Sequence, residues 1–177
     1  MVSQRRMAAL VTAVLFLLTA CSGTSGGDLP PPNAGSTLTV TSPDLTGGAI
    51  PVEFTCDGDD RTPVVMWSGA SGPGSIVVVM TDADAGGFVH WLVYNLGGES
   101  GTAGGSSASG EEGHNDFGTN GYRGPCPPAG DDPHHYVITV YQFAPAPSPF
   151  APGENAGQVI GPDPVAAGTL TGTYARA

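Results

Sequence analysis

Three short segments of this chain gather ionisable and ring-bearing side chains. They are Asp82-Ala-Asp-Ala85 with His90-Trp91, then Asp116-Phe-Gly-Thr-Asn-Gly-Tyr122 running into Gly124-Pro-Cys-Pro-Pro128, and finally His134-His-Tyr136. Carboxylates beside imidazoles and a phenol can move protons, or they can hold a polar ligand through hydroxyl, imidazolium and loop amide donors. An anion placed near Asp82 and Asp84 needs donors that outweigh both carboxylates. His90 or His134 as imidazolium, the Tyr136 hydroxyl and backbone N–H groups are the available set, and a neighbouring carboxylate favours the charged imidazole. Asp82, Asp84, His90 and His134 are also side chains that a zinc ion accepts, which makes a metal site one alternative. A hydrolase is another, although no G-x-S-x-G elbow joins a strand to a helix and no HExxH occurs. Plainer roles compete at each position. Asp82 and Asp84 can end a strand and bond turn amides, Trp67 and Trp91 belong by default in a core, and His114 reads as a solvated loop residue. His135 suits a pocket rim or open surface equally, and Asp57, Asp59 and Asp60 match a calcium loop too incompletely to be more than a solvated turn.

The elements that must position these groups are strands. Thr37–Thr41 alternates with period two, whereas Ile76–Met80 and Tyr136–Phe143 are nearly continuous apolar runs bounded by turn residues, the pattern of strands covered on both faces. Ile50–Phe54, Val64–Trp67, Val89–Leu96 and Thr169–Tyr174 complete the set. No window carries a convincing helical repeat, and with 28 Gly and 17 Pro the connections should be loops and turns, Gly97–Gly113 a long mobile one. This is a mainly β chain with little helix. Asp82 closes one buried run and His90 opens the next, so Asp82, Asp84 and His90 can converge at one rim of a sheet.

The N-terminus sets the compartment. Arg5 and Arg6 precede an apolar run, Met7–Leu18, too short to span a bilayer comfortably, so residues 1–20 read as a signal peptide. Leu18-Thr19-Ala20-Cys21 resembles a bacterial lipobox, in which the cysteine thiol is acylated, for instance with palmitate, and becomes the new N-terminus. Residues 21–36 hold Gly, Ser, Pro and Asn with little apolar content and read as a lipidated flexible tether, and one domain follows over 37–177. The expected location is the extracytoplasmic face of the cell membrane, held through Cys21. Beyond Cys21 the basic residues are Arg61, Arg123 and Arg176 against 16 acidic side chains, and lysine is absent. Nucleic acid is excluded as a partner, because its affinity depends on clustered cations. With Cys21 lipidated, Cys56 and Cys126 remain, and in an oxidising compartment a disulfide is the simplest reading, two separate thiols the alternative.

At these segments the chain resembles the phosphatidylethanolamine-binding protein family. That family carries a DPDAP motif followed by HW, then a glycine-tyrosine-glycine-proline-proline segment leading into HRY. The order and spacing match here, and the likeness is greatest to the bacterial Raf-kinase-inhibitor-like branch. It extends through Phe54-Thr-Cys-Asp-Gly58, Pro63–Trp67 and Gly172-Thr-Tyr174, so that roughly Thr37–Arg176 is covered. The resemblance implies an antiparallel β-sandwich of the phosphatidylethanolamine-binding type. It also implies a small cavity taking phosphate or a phosphoryl or phospholipid head group, with no cofactor and no catalysis, and a protein partner whose identity it leaves open. Carried over position by position, the ligand-binding residues are Asp82, Asp84, His90, Gly124, Pro125, His134 and Tyr136, with Trp91 as wall. Ala83 and Gly86 stand where the motif has prolines, which implies a looser rim, and His135 stands where it has arginine, which removes a positive charge.

Overall fold

The computed structural model describes residues 29, 35–106, 109–144 and 149–177; the signal segment, Cys21 and most of the tether lie outside them. The longest apolar runs become the central strands. They are β4 (Ser75–Asp82), β5 (Phe88–Leu96), β8 (His134–Phe143) and β9 (Ala166–Tyr174). With β1 (Ser36–Thr37) and β7 (Glu111–Glu112) they make a six-stranded sheet in the order β1-β9-β8-β4-β5-β7. A second sheet has the order β2-β3-β6, from Thr39–Thr41, Val65–Ser68 and Ser100–Ala103. All pairings are antiparallel except β1 with β9, so the larger sheet is mixed at that edge.

The continuous runs are covered on both faces, as their composition requires. On β4, Ile76, Val78 and Met80 face the small sheet and pack with Trp67, Trp91, Ile138 and Val140. Val77 and Val79 face the other way, onto Leu92, Tyr94 and Tyr141, beneath the single turn of helix α1 (Ala156–Val159). Each such aliphatic side chain contributes about 1.5–3 kcal/mol on burial. Outside this second cluster Phe143, Phe150 and Leu29 pack against it. The chain moves from the large sheet to the small one at Leu38. Its carbonyl oxygen lies where a Cβ on Gly168 would stand, 2.2 Å away, so glycine is what allows β1 and β2 to cross β9 this closely.

Two expectations fail locally. Ile50–Phe54 is not a strand. Pro51 supplies no N–H for a ladder, its carbonyl accepts from the Phe54 N–H, and Val52–Phe54 form a 3₁₀ turn that buries Phe54. Gly97–Gly113 is not one loop, since it holds β6 and β7. The Trp67 indole lies across Gly101, where a Cβ would meet it at 2.3 Å, so the strand needs residues too small to show an apolar pattern.

Candidate functional site

The polar segments meet at one end of the large sheet, where β4 finishes and β5 and β8 begin. Met80 pairs with Trp91 but Thr81 with Val89, which leaves His90 as the extra residue of a β-bulge. Strict alternation would send His90 and Trp91 to opposite faces; the bulge turns both to the side of the small sheet. His90 consequently lines a cleft of about 190 Å³ together with Asp82, Ala85, Phe88, Phe117, Cys126, Pro127, Pro128, His134 and Tyr136.

The Asp82 carboxylate has two duties. Oδ1 accepts the N–H groups of Asp84 and Ala85 at 2.9 and 3.1 Å, which closes the turn after β4. Oδ2 lies 2.8 Å from Nδ1 of His134. This contact, first, and the carboxylates of Asp82, Asp84 and Asp131 raise the His134 pKa above the ordinary histidine value, so the imidazolium is favoured and Nε2–H stays available to a ligand. His90 behaves in the opposite way. Burial among Phe88, Phe117 and Tyr136, whose rings sit 5.2–5.5 Å from it, lowers its pKa against the raising effect of the Arg123 and Gly124 carbonyls. Nδ1–H donates to the Arg123 carbonyl at 2.7 Å, so the neutral ring keeps an acceptor lone pair on Nε2. The two rings are therefore driven apart, His134 toward its charged form by the Asp82 contact and His90 toward its neutral form because the aromatic surround excludes the water that would stabilise the charge.

Tyr136 is buried, and its hydroxyl has no hydrogen-bond partner among the described residues. Burial, and after it the Asp82 carboxylate, raise the phenol pKa, so the group is a neutral donor at any ordinary pH. A buried hydroxyl without a partner costs free energy, and a ligand acceptor in the cleft would remove that cost.

Other sequence-derived positions stand apart from the lining. Asp84 turns outward and accepts from the backbone N–H of His135 at 2.6 Å and from its ring at 3.0 Å, which lowers the Asp84 pKa. Trp91 is core rather than wall: fully buried, it donates from Nε1 to Glu112 at 3.0 Å. Gly124 and Pro125 are buried and do not line the cleft. The Gly124 N–H donates to Oδ1 of Asp60 at 2.7 Å, and a Cβ there would strike the Phe54 carbonyl oxygen. Asp60 is thus a brace and not a solvated turn residue. Cys56 and Cys126 form a disulfide with Cα atoms 5.4 Å apart, and Cys126 itself lines the floor. Among the described residues no three His, Cys, Asp or Glu side chains are grouped so as to hold a metal.

Reasoning from sequence missed the apolar lining, above all Phe117. Asn115 accepts from the N–H groups of Phe117 and Thr119, and Asp116 is bonded both ways to Val89, which carries the Phe117 ring over the cleft against Phe88. The Arg123 guanidinium stacks on Phe117, 4.8 Å from its centroid, with no carboxylate partner among the described residues. An aromatic residue inside a turn-rich polar segment was the available signal.

A two-sheet β fold with such a cleft at one sheet end defines a class, and comparison with known proteins identifies it. The family model for phosphatidylethanolamine-binding protein matches residues 41–175. The chain belongs to that family. Among curated proteins, LppC of Mycobacterium tuberculosis, a lipoprotein by name, is 36% identical over 190 residues, covering 93% of this chain and 94% of its own length. A UPF0098 protein of Mycobacterium bovis is 38% identical over 154 residues, or 84% of this chain and 76% of its own. The crystal structure of CT736 from Chlamydia trachomatis, described as a homologue of phosphatidylethanolamine-binding protein, superimposes with a TM-score of 0.70 at 27% identity, over 81% of this chain and all of that one. Escherichia coli YbcL gives a TM-score of 0.70 at 28% identity over 79% of this chain and 99% of its own.

Proposed function

We propose that this protein is an exported lipoprotein, acylated at Cys21 and displayed outside the cell membrane, that binds a small phosphate-like anion and catalyses no reaction. The observation that carries the reading is the Tyr136 hydroxyl, buried at the cleft and without a hydrogen-bond partner among the described residues, beside a His134 ring that Asp82 holds toward its charged form. Two donors then face one space, and Nε2 of His90 offers an acceptor for the proton of a partly protonated phosphoryl group. Arg123, stacked on the rim residue Phe117, adds positive charge at short range to an otherwise acidic surface. The Asp82–His134 pair by itself would suit proton transfer, but among the described residues no Ser, Thr or free thiol lines the cleft to be activated, which favours binding over hydrolysis. The relative named as a lipoprotein supports the anchored location.

Titration calorimetry with inorganic phosphate and with phosphorylethanolamine tests this. Saturable heat is expected with the parent protein, weakened about ten- to a hundredfold in His134→Ala, the range for losing a charge-assisted hydrogen bond. Absence of heat at millimolar ligand would refute the reading.

A further inference from the structure

We infer that Leu29 docks the N-terminal segment on the face of the large sheet opposite the cleft, so that the cleft opens away from the membrane anchoring the chain. This rests on the acylation of Cys21 proposed above. Two observations place the anchor's point of departure. The first concerns the face. Leu29 packs on the second core cluster, with Phe143 and Phe150, whereas Tyr136 belongs to the first cluster and Asp82 and His90 share its side of the sheet. The second concerns the pole. β1 enters beside Ala166 and Ala167, which pair with Gln142 and Tyr141, while the cleft residue His134 pairs with Tyr174 at the far end of the same two strands.

Chain length decides what this means. From His134 to Gln142 the strand covers about 26 Å at its usual rise, and a route from Leu29 to the cleft must also pass round a sheet edge. The eight residues from Cys21 to Leu29 reach at most about 27 Å when fully extended. If Leu29 were not docked, the free length would run to Ser36, about 50 Å, enough to let either pole meet the bilayer. The Leu29 contact is therefore the orienting element. The domain carries no lysine and 16 acidic side chains against three arginines, so anionic head groups repel its surface as a whole, and the short-range charge of Arg123 does not reach far enough to turn it back. The ligand of the cleft is accordingly a water-borne anion, not a head group of the leaflet that holds the lipid.

The test uses the full-length protein, purified in detergent from the membranes of the cells that export it, on phosphatidylcholine–phosphatidylglycerol vesicles containing a quencher attached to lipid head groups. A fluorophore is placed on Ala129→Cys, exposed beside the cleft, or on Asp163→Cys, exposed beside the apolar groove of Phe143, Phe150 and Val159. Quenching is expected to be at least threefold stronger at position 163 than at 129, and the difference should disappear when Leu29→Ser is added. Protein that floats with the vesicles but is quenched equally at both positions overturns the orientation alone. Protein that does not float refutes acylation, and the orientation falls with it.

Discussion

Two histidines a few ångströms from the same tyrosine ring are driven in opposite directions by their surroundings. His134 rests on Asp82 and is held toward imidazolium; His90 sits among aromatic rings and is held neutral. The consequence for pH follows directly. A raised pKa means that the His134 charge is present at and below the ordinary histidine range and is lost as pH rises through the raised value. Anion affinity should thus increase from pH 8 to pH 6. Measured with sulfate, whose own charge is constant over that range, the increase should vanish in His134→Ala and persist in His90→Ala. Loss of the slope in His90→Ala instead would show that the charged donor is His90. Tyr136 gives a second residue-scale test, because among the described residues its hydroxyl has no hydrogen-bond partner to lose. Tyr136→Phe should leave unfolding free energy unchanged or raise it by about 1 kcal/mol, while phosphate affinity falls about tenfold. Urea unfolding and calorimetry on the same sample distinguish this from a tyrosine that merely supports the core.

At the scale of elements, the cleft is assembled from two strand ends and two irregular segments, and the irregular segments need bracing. The β5 bulge aims His90, Asn115 carries Phe117, and the Cys56–Cys126 disulfide with the Asp60–Gly124 bond holds the proline-rich floor. Closing a loop with a sequence separation of 70 residues is worth about 4 kcal/mol in the chain-entropy account. Replacing both cysteines with serine should lower the urea midpoint correspondingly. Because Cys126 lines the floor, phosphate affinity should weaken even at temperatures where the variant stays folded; an unchanged midpoint would refute the bracing role.

For the whole molecule the property to test is the proposed acylation. No helix among the described residues is long and apolar enough to cross a membrane, and the anchor proposed above is the acyl chain on Cys21. Metabolic labelling with a clickable fatty acid should mark the parent protein and leave Cys21→Ser unmarked. Label retained on the variant would exclude acylation at that cysteine.

Residue order alone was enough to expose the central strands, because a strand covered on both faces is apolar at nearly every position, as Ile76–Met80 in β4 and most of Tyr136–Phe143 in β8 are. It was enough for the family too, since five motifs in register from Phe54 to Tyr174 leave few other assignments, and it brought Asp82, His90, His134 and Tyr136 to one sheet end. What it could not decide was direction. Whether Trp91 shares a face with His90 depends on one bulge, whether Asp84 points into the cleft or to His135 depends on a turn that Asp82 closes, and whether a histidine is charged depends on which neighbours bury it. The β6 strand and the Asp60 brace were hidden for the same reason. Their sequences are small or polar, and the contacts that give them structure, Trp67 over Gly101 and Asp60 with Gly124, lie across the chain from them. Periodicity records how much of a segment is covered; only the packed structure determines by what.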